Sequence, residues 1–137
     1  MMIALVVGVV ALAAYEWSRE IRVVEHVAPW QSAYKVPADA KDVCYTTRPG
    51  FAPNTLFEFT VGEESFRAWA KADEHEVSEI VEPAYLLTYR AYADPKSDGF
   101  VTVSDGLYYV KMSKPDAGVR IAYDRRAKRA YYWGQTR

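Results

Sequence analysis

The chain has 137 residues and a formal net charge of −1, and half of its residues are apolar. A chain this apolar is not intrinsically disordered, and a net charge near zero gives no general attraction to nucleic acid or anionic lipid. The single cysteine, Cys44, excludes an internal disulfide and any metal site built on several cysteines. We therefore predict one folded domain without cofactor or metal, behind an N-terminal segment.

The first predicted element is that N-terminal segment. Residues 1–15 carry no charge, and residues 16–28 continue with helical, amphipathic spacing that ends before Pro29. We predict a long apolar and amphipathic helix over residues 1–28 that acts as a signal anchor, which makes the protein a single-pass membrane protein. Two alternatives stay open. One is a signal peptide cleaved near residues 11–13, and the other is a soluble protein that buries the helix in its core or in a dimer.

The side of the membrane that holds the domain depends on few charges. The nearest Lys and Arg residues, Arg19, Arg22 and Lys35, all follow the apolar segment. By the positive-inside rule this bias favours a cytoplasmic domain. A secreted or periplasmic domain is the alternative.

The rest of the chain predicts a linker and an α+β domain. Residues 29–41 contain two prolines and no periodicity, so we predict a linker there and a globular domain over residues 42–137. Strands are predicted over residues 42–47 and 55–60, because these runs are β-branched, aromatic or alternating. The segment Thr60-Val61-Gly62-Glu63 has the spacing of a capping box, and a helix with the apolar stripe Phe66, Trp69 and Ala70 follows it.

After Pro83 the sequence predicts β structure. Strands are expected over residues 84–92, 100–104, 107–112, 119–123 and 129–133. Asp105-Gly106 is typical of a type I′ hairpin turn between two of these strands. The predicted fold class is therefore α+β, an antiparallel β-meander sheet covered by one helix and preceded by the long N-terminal helix.

Three parts of the sequence carry a resemblance. They are residues 37–43, residues 63–70, and residues 123–124 together with 129–132. In these segments the chain is similar to uncharacterised bacterial proteins that have an N-terminal apolar anchor or signal segment. The resemblance covers roughly residues 37–137. It implies a shared fold and no particular activity.

Catalytic and metal-ligating residues are sparse. A cysteine nucleophile needs a base within hydrogen-bond reach, and His26 and His75 are the only histidines. Because His26 falls in the predicted helix and His75 is distant in sequence, we predict that Cys44 is an inert strand residue. His75 and Glu79 have the i, i+4 spacing of a helical zinc site, but the helix is predicted to end before Glu79. Residues 73–76 are accordingly interpreted as a solvated helix end.

These observations predict a membrane-tethered, non-enzymatic interaction or accessory module. Its predicted partner-contact patch consists of the four basic residues around the last turn, Arg125, Arg126, Lys128 and Arg129. A protein or an anionic surface is the expected partner, besides the membrane itself, and nucleic acid is not expected. The alternative function is a small enzyme or ligand-binding protein with a pocket between helix and sheet, so an enzymatic activity stays open.

Overall fold

The structure is a computed structural model, and it describes residues 9, 10, 12, 21–47, 54–115 and 117–135. The strands are β1 (Arg22–Val27), β2 (Lys41–Thr47), β3 (Asn54–Thr60), β4 (Ser78–Glu79), β5 (Ala84–Leu87), β6 (Phe100–Val103), β7 (Gly106–Lys114), β8 (Ala117–Asp124) and β9 (Arg129–Gln135). Helix α1 covers Glu63–Ala72, the short helix α2 covers Arg90–Ala93, and Pro29–Gln31 forms a 3-10 turn. Seven strands form one antiparallel sheet in the order β1-β2-β3-β9-β8-β7-β4, and β5 pairs with β6 in a separate two-stranded sheet.

Helix α1 packs on the first face of the seven-stranded sheet. Phe66 is fully buried and stacks on Tyr123 of β8, with 4.9 Å between the ring centroids. One turn later, Trp69 meets Phe59 of β3 edge-on at 5.2 Å. Burial of these rings, at about 25 cal/mol per Å² of apolar surface, holds the helix on the sheet. The space where the alternative function expects a ligand pocket is therefore occupied by packed aromatic side chains.

Residues 29–41, predicted as a linker, lie against the same face. Tyr34 stacks on Phe57 of β3 with 4.9 Å between the ring centroids, and its hydroxyl donates to the carbonyl oxygen of Thr46. The indole N–H of Trp69 donates to the carbonyl oxygen of Lys35 at 3.0 Å. This segment therefore contributes to the core, and it connects β1 directly to β2.

The β5–β6 pair covers part of the second face of the large sheet. Ala84 and Leu86 of β5 and Val103 of β6 are buried against Ala122 of β8 and Tyr131 of β9. Successive residues of a strand point to opposite faces, so the strands of the large sheet contribute side chains both to the core under α1 and to the core under the β5–β6 pair. The sheet thus has α1 on one side and the β5–β6 pair on the other.

The predicted fold class is wrong. Strands make up 49% of the residues, so the fold is mostly antiparallel β and no long N-terminal helix is seen in the described part of the chain. Residues 22–27, predicted as the end of that helix, form β1 and pair with β2. Val23, Val24 and Val27 are β-branched, and pairing with a neighbouring strand outweighs a weak helical periodicity.

The membrane predictions are also corrected. Within the described residues, no helix has the length and apolar character needed to cross a membrane. Val9, Val10 and Leu12 are helical and exposed, whereas the end of the predicted anchor is strand β1. Residues 1–8, 11 and 13–20 lie outside the described residues. The expected signal anchor, transmembrane helix and single-pass membrane localisation therefore have no support in the structure.

The predicted Asp105-Gly106 hairpin is wrong as well. Strand β6 pairs with β5, whereas β7 pairs with β8 and β4, so this turn joins strands of two different sheets. Gly106 lies opposite Asp124 as the first residue of β7, where an added Cβ would lie 1.7 Å from the carbonyl oxygen of Tyr123. The glycine permits close approach of two backbones rather than a tight hairpin.

The start of helix α1 and the end of strand β5 differ from prediction, while the ends of the other predicted strands move by one or two residues. Helix α1 begins at Glu63 with Gly62 as its N-cap, and no side chain caps it. The Thr60 hydroxyl instead accepts a hydrogen bond from Arg129 at 2.8 Å. The strand predicted over residues 84–92 ends at Leu87, after which the chain turns into α2.

Candidate functional site

A buried ion cluster lies on the second face of the large sheet. Glu58 at the middle of β3 is 1% exposed. Its Oε1 accepts from Arg90 Nη1 at 2.7 Å, and its Oε2 accepts from Arg90 Nη2 at 2.9 Å and from Arg129 Nε at 2.6 Å. A buried carboxylate is tolerated only when it is paired and hydrogen-bonded, and both oxygens of Glu58 meet that condition.

Arg129 extends this cluster toward the edge strand β1. Its Nη1 donates to Asp42 Oδ2 at 3.0 Å, and its Nη2 donates to Cys44 Sγ at 3.5 Å. Burial acts to lower the pKa of Arg129, but the charge of Glu58 and its hydrogen bond outweigh burial and raise it. Arg129 therefore stays charged and links Glu58 to the residues of β2.

Three potential metal ligands meet where β1 and β2 both bulge. His26 and Asp42 have positive φ angles of 56° and 53°, and the strand pairing is interrupted at both positions. His26 Nδ1 contacts Asp42 Oδ1 directly. Cys44 Sγ lies 4.0 Å from His26 Nδ1 and 4.0 Å from Asp42 Oδ1. The bulges thus bring an imidazole, a carboxylate and a thiol to one point, which we call the His-Asp-Cys trio.

The trio is not arranged as a catalytic triad. In a triad the base uses one ring nitrogen for the nucleophile and the other for the carboxylate, whereas here both Cys44 and Asp42 face Nδ1 of His26. Cys44 is also fully buried, which closes its sulfur to a substrate. The predicted location of His26 in a helix is wrong, because His26 lies in strand β1 beside β2 and next to Cys44.

Acidic pH should increase the contribution of His26 to stability. The hydrogen bond to Asp42 and the charge of Asp42 raise the pKa of His26 above its ordinary value of 6.5, so the folded state binds this proton more tightly than the unfolded state. That contribution is complete below pH 6.5 and is lost as pH rises through the raised pKa. We expect His26→Gln to lower the urea midpoint more at pH 5 than at pH 8, at low salt and with EDTA present.

His75 provides a control, because its contribution to stability should change with pH in the opposite direction. Burial lowers the pKa of His75, so its folded state resists protonation and stability falls as pH drops below 6.5. We therefore expect His75→Gln to be less harmful at pH 5 than at pH 8. If His26→Gln changed the urea midpoint equally at both pH values, the inference that Asp42 raises the pKa of His26 would be contradicted.

An exposed aromatic surface combines two side chains of the β5–β6 pair with two side chains of the neighbouring, uncovered part of the second face. Tyr85 and Phe100 stack in parallel with 4.6 Å between ring centroids, and they are 55% and 42% exposed. Beside them the guanidinium of Arg120 lies 5.6 Å from the ring centroid of Trp133. A hollow of about 300 Å³ opens between these four residues, and a second one of about 560 Å³ extends past Tyr85 and Arg120 toward Tyr108. We call Tyr85, Phe100, Arg120 and Trp133 the aromatic surface.

The predicted partner-contact patch divides into two kinds of residue. Arg125 forms ion pairs with three carboxylates, those of Glu63, Glu79 and Asp105. Arg129 is buried in the ion cluster. Arg126 and Lys128 are exposed at the turn between β8 and β9. The structure thus places two of the four residues inside internal ion pairs and leaves two at the surface.

His75 lies beyond the end of α1, as predicted for residues 73–76. The helix ends at Ala72, and Glu79 belongs to β4, so His75 and Glu79 do not share a helical face. His75 stacks on Tyr109 at 4.7 Å. Its Nδ1 is one of two buried side-chain polar atoms without a hydrogen-bond partner in the described part of the chain. Residues 73–76 nevertheless line open hollows at this helix end.

Comparison with known proteins assigns this chain to no family. No protein-family model, no curated protein and no solved structure matches this chain. The fold and the side chains of the second face therefore carry the functional argument.

Proposed function

We propose that this domain is a non-enzymatic interaction module that binds a protein partner through the aromatic surface. The observation that carries the proposal is the stacked pair of Tyr85 and Phe100, two large rings exposed beside Arg120. Exposed aromatic rings cost free energy in water and are enriched, with Arg, at the centres of protein interfaces. A contact that covers these rings would recover that free energy.

The position of Arg120 indicates the chemistry of the partner. Arg120 lies in a row of the second face with Val110 of β7 and Trp133 of β9, directly opposite both in the strand register. Val110 is 46% exposed, so the row presents an apolar, a cationic and an aromatic side chain side by side. A segment with apolar side chains and a carboxylate matches this row, because a guanidinium binds a carboxylate in a bidentate manner.

Charge reversal at Arg120 tests the proposal. A photo-crosslinking amino acid at Tyr85 should capture a partner in the producing cell, and Arg120→Glu should reduce that product by about thirtyfold, the size of a loss near 2 kcal/mol at an interface hot spot. Arg126→Glu, with the same change of charge at the turn between β8 and β9, should leave the product unchanged. The same crosslinker at Lys71, on the exposed side of α1, controls for chance encounters.

Two results would contradict the proposal. Equal products from positions 85 and 71 would show that the aromatic surface makes only chance contacts. Loss of the product with Arg126→Glu but not with Arg120→Glu would move the interface to the predicted patch at the turn.

A further inference from the structure

We propose that the His-Asp-Cys trio is a binding site for a divalent transition metal of the zinc type. The ligand atoms of His26, Asp42 and Cys44 all lie within 4.8 Å of one another. In a tetrahedral zinc site with bonds of about 2.0–2.3 Å, ligand atoms are separated by roughly 3.3–3.7 Å. The two 4.0 Å separations from Cys44 Sγ need to shorten by only a few tenths of an ångström, while His26 and Asp42 move apart to admit the ion.

The sulfur of Cys44 accepts two hydrogen bonds, as expected for a metal-bound thiolate. This Sγ accepts from the backbone N–H of His26 at 3.4 Å and from Arg129 Nη2 at 3.5 Å. Thiolates are the form of cysteine that binds metals, and donors of this kind orient and stabilise a metal ligand from the outer shell. Asp42 is held in the same way, because Arg129 donates to its Oδ2 and leaves Oδ1 facing the other two ligands.

The charges of the cluster also balance with a metal ion present. Groups in direct contact include three carboxylates, those of Glu25, Asp42 and Glu58, and two guanidinium groups, those of Arg90 and Arg129. With His26 neutral, as a metal ligand must be, the cluster therefore has one negative charge in excess. A divalent cation bound to a thiolate adds a net charge of +1, which makes the whole assembly neutral.

The donor set and its exposure define the class of metal. Sulfur, nitrogen and oxygen together favour zinc and similar borderline metals over magnesium and calcium, which prefer oxygen alone. The side chains of His26 and Asp42 are 69% and 43% exposed, so the ion has a path from solvent, whereas Cys44 closes the site from within. Three protein ligands leave the fourth tetrahedral position open.

Cobalt provides the test, since Cys44 is the only cysteine of the chain and therefore reports its own coordination. Titration of the full, chelator-treated chain with Co²⁺ should produce a thiolate-to-cobalt charge-transfer band in the near ultraviolet. Displacement of cobalt by Zn²⁺ should abolish the band and yield the zinc affinity. Added Zn²⁺ should also raise the Tm of the wild-type chain.

Variants decide between this site and incidental binding. His26→Ala removes an exposed ligand without opening the core, and we expect it to weaken zinc binding at least about tenfold, a loss that removal of an outer-shell partner alone can cause. Cys44→Ser should lose the charge-transfer band, with far-UV circular dichroism as the check on folding. His75→Ala should bind as the wild type does. Absence of the thiolate band, or an affinity unchanged in His26→Ala, would overturn the proposal.

Discussion

Replacement of Glu58 by glutamine is expected to lower the free energy of unfolding by about 3–5 kcal/mol, the cost typical of breaking a buried ion pair from one side. Glu58 is 1% exposed and its two oxygens accept three hydrogen bonds from Arg90 and Arg129. Glutamine has nearly the same shape but no charge, so two guanidinium groups would remain without their shared carboxylate. Urea unfolding of the two proteins at pH 7 measures the difference.

The matched control is Glu79→Gln. Glu79 also pairs with an arginine, Arg125, but its side chain is 62% exposed. Exposed ion pairs contribute about 0–1 kcal/mol, so this variant should stay close to the wild type. If Glu58→Gln cost no more than Glu79→Gln, the ion cluster would not be a source of stability, and the second face would be held by apolar packing alone.

Local patterns explain the parts of the fold that could be predicted from the sequence. The alternation in residues 55–60 and the stripe of Phe66 and Ala70 arise within one strand and one helix, and both match the observed elements closely. The segment 84–92 shows the limit of the same reasoning. Its aromatic and β-branched residues favour a strand throughout, yet the chain leaves β5 at Leu87 and turns into α2, from which Arg90 binds Glu58, a contact that no local pattern reveals.

Strand pairing explains why the hairpin prediction failed. A turn such as Asp105-Gly106 specifies a local change of direction, but it does not specify which strands pair. Here β6 finds its partner in β5 and β7 finds its partners in β4 and β8, so the assignment depends on contacts distant in sequence. The same limit applies to β1, whose helical spacing is overridden by pairing with β2.

The candidate site was accessible from the sequence only in part. Glu58 shares a strand face with Leu56, and a charged residue at an apolar-facing position is a signal of a buried, paired charge. Nothing local connects it to Arg90 or Arg129, which are 32 and 71 residues away. The His-Asp-Cys trio is hidden for the same reason, since Cys44 lies 18 residues from His26 and meets it only through the β1–β2 pairing.

Replacement of Phe66 by alanine is expected to destabilise the protein by about 3–5 kcal/mol, the range for removal of a buried phenylalanine ring. Phe66 is fully buried between Tyr123 and Trp69, at 4.9 Å and 5.9 Å between ring centroids, so the lost ring leaves a cavity that rigid aromatic neighbours cannot fill. Thermal and urea unfolding both measure this loss.

The comparison with Phe100→Ala separates the effect of a buried ring under helix α1 from that of an exposed ring on the β5–β6 pair. Phe100 is of the same residue type but 42% exposed, so its removal leaves no enclosed cavity and should cost about 1 kcal/mol or less. If it instead cost as much as Phe66→Ala, the ring of Phe100 would be needed for folding, and its exposure would be no argument for partner binding. A stable Phe100→Ala variant that also loses the crosslinked partner would show that the ring of Phe100 serves binding, whereas the ring of Phe66 serves stability.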